Sequence, residues 1–156
     1  MSYVVDSNTF RVLGNYYPAR FPSLWEQLDQ LVTDGRWTSV REVRKELDRQ
    51  NVSEHVDQWV ESNKGIFVPP TSADLEKVAA VLAVPHFQQL IGEKQRLLGW
   101  PVADPFVIAR AMNSGGCVVT EEEWKKNGAK IPNVCEHFGV DCTNLEGLMS
   151  REGWVF

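Results

Sequence analysis

Short apolar runs alternate along the chain with stretches in which apolar residues recur every three or four positions, the pattern of strands separated by helices. Tyr3-Val4-Val5 is a short apolar run stopped by Asp6, which predicts a buried strand with a polar residue emerging at its C-terminal end. Ser7 and Asn8 then favour a turn or the start of a helix. Leu24, Leu28, Leu31 and Val32 share one helical face, with Ser23 and Glu26 as a capping box and Gly35 just past the end. Arg36-Trp37-Thr38 predicts a very short strand. Ser39 with Glu42 predicts a second capping box, opening a helix with Val40, Val43 and Leu47 inside, and a further helix bearing Val56, Trp59 and Val60 follows Ser53.

Ile66-Phe67-Val68, bounded by Gly65 and by Pro69-Pro70, predicts a strand with a rigid stop. Thr71 or Ser72 caps the next helix, whose inner face is Leu75, Val78 and Leu82. Pro85 breaks it, and another helix carries Phe87, Leu90, Ile91 and Leu98 before Gly99-Trp100-Pro101 turns the chain. Asp104 at an N-cap and Pro105 at the first helical position predict a helix over Phe106 to Met112, ended by Gly115-Gly116. Cys117 to Thr120 reads as a buried strand, Pro132 to Phe138 as a helix ended by Gly139, Val140 to Cys142 as a last strand, and Thr143 as the cap of a final short helix. Strands alternating with helices predict an α/β domain with a mainly parallel sheet, because parallel neighbours need crossover helices between them.

Composition narrows the class. At 156 residues the chain fits one domain over 1–156, and 43% apolar with 24% charged residues is an ordinary globular mix. The longest apolar run, Val78 to Val84, is far below the roughly 18 residues of a membrane span, and Asp6 stands where an export signal is apolar. Three cysteines argue against a disulfide framework and for a reducing, cytoplasmic compartment. The 21 Asp and Glu against 16 Lys and Arg give a net charge of −5, which speaks against broad electrostatic binding of nucleic acid but is compatible with a concentrated acidic site.

Ligands of open parallel sheets bind at the carboxyl ends of the strands, so the residues after each apolar run carry the candidate chemistry. Here they are acidic: Asp6 after the first strand, Glu121-Glu122-Glu123 after the strand ending at Thr120, and Asp104 opening the helix that leads into that strand. Like charges raise each other's pKa, so such a cluster calls for a hard cation such as Mg²⁺ or Mn²⁺. Some of these residues have a plainer reading. Asp104 suffices as a helix cap and the triple glutamate as a solvated turn, whereas a carboxylate directly after an apolar strand, as at Asp6, gains nothing from the core.

Four segments occur in a telling order: Asp6-Ser7-Asn8 after the first strand, Val43-Arg44-Lys45-Glu46-Leu47 on an early helix, Asp104-Pro105-Phe106-Val107-Ile108-Ala109, and Val118-Val119-Thr120-Glu121-Glu122. Together they resemble the PIN-domain nucleases, and within these a bacterial PIN-like group related to VapC-type toxins. Tyr16-Tyr17-Pro18, the Trp25 helix and Lys130-Ile131-Pro132-Asn133-Val134-Cys135 support the resemblance, which spans nearly the whole chain. It implies a PIN-like three-layer α/β fold with a mainly parallel central sheet flanked by helices. It also implies a metal-dependent endoribonuclease, the toxin of a bacterial type II toxin-antitoxin pair, with RNA as substrate, a cognate antitoxin protein as partner and a homodimer as a further option. The family's acids fall on Asp6, Glu46, Asp104 and Glu122, as catalytic residues and as ligands of one or two Mg²⁺ or Mn²⁺ ions. The last is a departure, since many PIN domains have Asp there; Glu is a carbon longer, its contact is direct or through water, and Glu121 is the alternative. Asn8 and Thr120 match polar positions that support such a site.

Glu42 and Glu46 share one stripe of the same helix. At about 100° per residue, Glu46 falls about 90° and Glu42 about 130° from the centre of the face set by Val40, Val43 and Leu47, so Glu46 is the better ligand and Glu42 a supporting, capping residue. Setting the four ligands aside leaves acids and bases nearly balanced. Arg11, Arg20, Arg41, Arg44, Lys125, Lys126 and Lys130 flank the acidic segments and are candidates for substrate backbone contacts. Cys135, His137 and Cys142 lack the close cysteine pair of a zinc site and read as buried thiols beside an unassigned His. Trp25 and Trp59 read as core, and Trp100 and Trp124 as the weaker candidates for stacking on bases. The alternatives to the ribonuclease are a non-catalytic PIN-like module binding RNA or protein, and a metal-dependent phosphatase or DNA-directed nuclease using the same ligands.

Overall fold

The computed structural model describes residues 1–92, 99 and 102–156. Strands β1 (Tyr3–Val5), β2 (Trp37–Val40), β3 (Phe67–Val68), β4 (Cys117–Val119) and β5 (Cys142–Thr143) form one sheet in the order β3-β2-β1-β4-β5, with every pairing parallel. The connections are helical: α1 (Ser7–Val12) and α2 (Pro22–Thr33) lead from β1 to β2, and α3 (Arg41–Arg49) and α4 (Glu54–Ser62) from β2 to β3. α5 (Ser72–Leu82) and α6 (Asp104–Ser114) lie between β3 and β4, α7 (Ile131–Phe138) between β4 and β5, and α8 (Leu145–Glu152) follows β5. This is an α/β architecture with a parallel central sheet flanked by helices, as the sequence pattern predicted. Among the described residues no helix is long and apolar enough to cross a membrane.

The centre of the sheet explains the continuous apolar runs. In β1, Tyr3 lies opposite Trp37 and Cys117, Val4 opposite Thr38 and Val118, and all three β1 residues are buried, as a strand covered on both faces requires. Beside it the ring of Phe10 meets Trp37 edge-on at 5.8 Å, and Trp25 and Trp59 pack edge-on at 5.7 Å, which puts both tryptophans in the core region predicted for them. Gly115, at φ +72°, ends α6 in the left-handed conformation that a helix terminus favours.

Several boundaries differ from the sequence pattern, each for a local reason. Ser23 and Glu26 form no capping box: α2 starts one residue earlier at Pro22, whose fixed φ suits a first helical position, so Ser23 lies inside the first turn. β2 runs through Val40, so Ser39 is a strand residue whose hydroxyl donates to the Val5 carbonyl at 2.6 Å, and the expected Ser39–Glu42 box does not form. On α5 the buried positions are Asp74, Val78 and Val81, while Leu75 is 51% exposed; Asp74 turns inward because it closes a capping box with Thr71 and accepts a hydrogen bond from Asn113 Nδ2. Ile66 belongs to a 3-10 turn before β3, and 85–90 is a 3-10 helix opened by Pro85. Leu98, Trp100 and Pro101 lie outside the described residues. Asp104 is the first residue of α6 and makes no capping bond, the cap position being Ala103. The last strand is Cys142–Thr143, not Val140–Cys142. Thr143 pairs with Val119, and Asn144 caps α8 by accepting from Gly147 N–H.

Candidate metal centre

From β1 the chain builds outward through β2 to β3 on one side, and β4 and β5 fill the other side. The switch in direction lies between β1 and β4, and crevices outside the carboxyl ends at such a switch are where parallel sheets bind ligands. Asp6 and Thr120 are the residues directly past those two strand ends. The Asp6 N–H donates to the Val119 carbonyl at 2.9 Å, which fixes the Asp6 backbone against β4.

Asp6 caps α1: its carboxylate is 2% exposed and accepts the Ser7 N–H at 2.8 Å and the Thr120 hydroxyl at 3.1 Å. The Ser7 hydroxyl donates in turn to Glu46 Oε1 at 2.9 Å, and the Ala103 N–H to Glu46 Oε2 at 3.4 Å. One serine thus holds two carboxylates, one through its backbone and one through its side chain. Asp104, spared from capping, is the third acid. One ligand oxygen from each of Asp6, Glu46 and Asp104 lies within 4.8 Å of the others. Three hard oxygen donors from three separate elements suit Mg²⁺ or Mn²⁺.

The electrostatics fit the same donor set. Burial pushes the Asp6 carboxyl up to about 7, the charges of Glu46 and Glu122 adding to it against the hydrogen bonds from Ser7 and Thr120. Asp104 is held well above the ordinary aspartate value, first by burial and then by Asp6, Glu122 and Glu46, with Lys130 opposing. Glu46 is raised by burial, opposed by Ser7 and Ala103. A bound divalent cation would offset both the burial and the mutual repulsion behind these shifts.

A family described as a domain of unknown function, DUF4411, matches residues 3–156. The chain belongs to the DUF4411 family. No curated protein matches it.

In this DUF4411 chain the remaining predicted residues divide clearly. Thr120 is a hub: its hydroxyl donates to Asp6 and accepts from Asn8 Nδ2 at 3.2 Å and from the Glu122 N–H at 3.2 Å, which uses its full bonding capacity. Asn8 Oδ1 also accepts the Glu121 N–H at 3.0 Å, so Asn8 and Thr120 tie the strand end to α1. Glu122 stands outside the triad. Its charge acts on Asp6, Glu46 and Asp104, while its Oε2 accepts the Ile131 N–H at 2.9 Å and holds the start of α7. Glu121 is also outside the triad, bonded to Thr9 Oγ1 and to the Leu145 N–H that opens α8.

Glu42 is 5% exposed, more buried than Glu46, contrary to the angular expectation. α3 packs against α1, β2 and β3 together, so its buried arc is wider than a single sheet face would make it. Glu42 Oε1 pairs with Arg41 at 3.2 Å, and its buried Oε2 has no partner among the described residues. Of the flanking bases, Arg11 acts on Glu46 and Lys130 on Asp104, whereas Arg44 is engaged by Asp48, Asp57 and Glu61. A polar groove of about 490 Å³ has Asn8, Arg11, Asn15, Asn51, Glu121 and Glu122 in its lining. His137 packs edge-on against Phe87 and Phe138. Ser7, which the sequence offers as a turn or helix-entry residue, opens α1 and is the site residue that the pattern does not single out, although its place directly after Asp6 is the available signal.

Proposed function

We propose that this chain is a metal-dependent endoribonuclease of the PIN type, acting on RNA as the toxin of a bacterial type II toxin-antitoxin pair. The close approach of Asp6, Glu46 and Asp104 at the switch point of the sheet carries this reading. In it these three residues hold Mg²⁺ or Mn²⁺, with Glu122 as the adjoining fourth acid. Such an ion would supply charge to neutralise the scissile phosphodiester and would acidify a water for attack at phosphorus, with a ribose oxygen as the leaving group. Ser7 and Thr120 keep two of the carboxylates aimed inward, and the groove containing Arg11, Asn15 and Asn51 contacts the RNA backbone on one side of the acids. Hydrolysis is preferred over simple binding because all four acids of the resembling motifs are present. The toxin role and a cognate antitoxin partner follow from that resemblance.

The test is incubation with total cellular RNA in Mg²⁺, Mn²⁺ or EDTA, alongside Asp6→Asn. Metal-dependent fragmentation lost in EDTA and in the variant is expected. Intact RNA under every metal condition, or undiminished cleavage by Asp6→Asn, contradicts the reading.

A further inference from the structure

A second cavity, of about 470 Å³, lies between α7, the 3-10 helix at 85–90 and the loop after Glu122; its size is that of small-molecule sites. One wall is rigid and aromatic: Phe87, 5% exposed, meets His137 edge-on at 5.1 Å, and His137 meets Phe138 at 4.8 Å. At the lip stands Trp124, 53% exposed and with no ring partner among the described residues. Its indole is therefore open to a planar partner at the edge of the cavity.

The loop that presents it is firmly built. Asn133 Oδ1 accepts the N–H groups of Lys125 and Lys130, both at 3.3 Å, Asn133 Nδ2 donates to the Lys125 carbonyl at 2.8 Å, and His86 Nε2 lies 3.1 Å from the Gly128 carbonyl. Glycine is needed at 128, where a Cβ would come within 2.9 Å of the Lys125 carbonyl oxygen. The same loop reaches the acidic centre: Glu122 holds the start of α7, and Lys130 acts on Asp104. Two residues of extended chain span at most about 7 Å, so Trp124 stands within about that distance of Glu122 along the backbone.

Resting on the nuclease reading above, we infer that this cavity is a nucleobase subsite for single-stranded RNA whose backbone crosses the acidic centre. A base stacks on Trp124 against the Phe87–His137 wall. Exposed Lys125 and Lys126 lie beside it for the phosphates. Glu136, in the lining, repels phosphate but accepts hydrogen bonds from the amino edge of a base, so the cavity takes the base and not the backbone. Duplex RNA, with its bases stacked inside, cannot offer one.

The experiment measures anisotropy of a labelled single-stranded RNA of about twelve nucleotides in EDTA, where no cleavage intervenes, with wild type, Trp124→Ala and Trp124→Phe. The same RNA as a duplex is the second arm. Trp124→Ala should weaken single-strand binding about tenfold or more, Trp124→Phe should restore most of it, and duplex binding should not respond to either change. Equal affinity of wild type and Trp124→Ala, or equal losses on duplex and single strand, overturns the base subsite, and the latter favours a plain electrostatic or protein-docking face. A rise in melting temperature with Mn²⁺, expected where an ion binds the folded state at Asp6, Glu46 and Asp104, reads the acids alone. If wild type shows no rise, the nuclease reading fails, independently of the anisotropy result.

Discussion

Asp6 keeps its proton to about pH 7 in the folded chain, whereas its ordinary value is 3.8. Between those values the folded, ion-free protein binds more protons than the unfolded one, so this group's contribution to stability is full below about pH 4 and is lost as pH rises through about 7. In EDTA, therefore, the melting temperature of wild type should fall relative to that of Asp6→Asn across this window, and Mn²⁺ should remove the difference in slope. Parallel pH profiles for the two proteins would show that Asp6 carries no such strain. Ser7 yields a separate expectation. Ser7→Ala keeps the backbone N–H that serves Asp6 but deletes the hydroxyl that aims Glu46, so cleavage should drop about tenfold or more, mainly in kcat, with Ser7→Thr restoring part of it. The cost to stability should be about 1 kcal/mol. Unchanged kcat in Ser7→Ala would mean that Glu46 is held by other contacts. Asp6 was legible in the sequence because it stands directly after an apolar strand, although in the fold it also caps α1. Ser7 was not, because a serine after an aspartate is an ordinary helix start until Glu46, far along the chain, is brought beside it.

At the level of elements, α3 separates what periodicity can and cannot tell. Its existence, its inner residues Val43 and Leu47 and the placement of Glu46 at the rim followed from spacing, but the burial of Glu42 did not, because phase is blind to a third neighbour such as α1. The two glutamates should behave oppositely. Glu46→Gln should abolish metal-dependent cleavage with the fold intact. Glu42→Leu should leave cleavage in place and melting unchanged or higher, since a buried carboxylate oxygen without a partner costs about 1 to 3 kcal/mol and the Arg41 pairing, half open to water, returns little. Circular-dichroism melting with the RNA assay checks both; an unfolded Glu42→Leu would reveal a structural role for that carboxylate. The capping boxes failed at Ser23 and Ser39 for one physical reason. A serine three residues before a glutamate also suits a first turn or a strand end, and Pro22 and the length of β2 settled the choice.

For the whole molecule, the parallel sheet was legible because strands buried on both faces must be apolar throughout, and Tyr3–Val5 and Cys117–Val119 are. The convergence of Asp6, Glu46 and Asp104 was legible only as an order of motifs. Their distances depend on strand order, which a sequence of short runs does not encode, and on β1 lying between β2 and β4. What the fold then holds together is a set of carboxylates that burial and mutual charge disfavour, an arrangement that the proposed divalent ion would relieve. Binding of that ion should release protons near pH 7, because burial and neighbouring charge push Asp6 up to about 7 without it. Calorimetric titration of Mn²⁺ near pH 7, in two buffers of different ionisation enthalpy, into wild type and Asp104→Asn tests this most directly. The account predicts saturable binding to wild type with a buffer-dependent heat from released protons, and its loss in the variant; no saturable heat in wild type, or equal binding by Asp104→Asn, would contradict it.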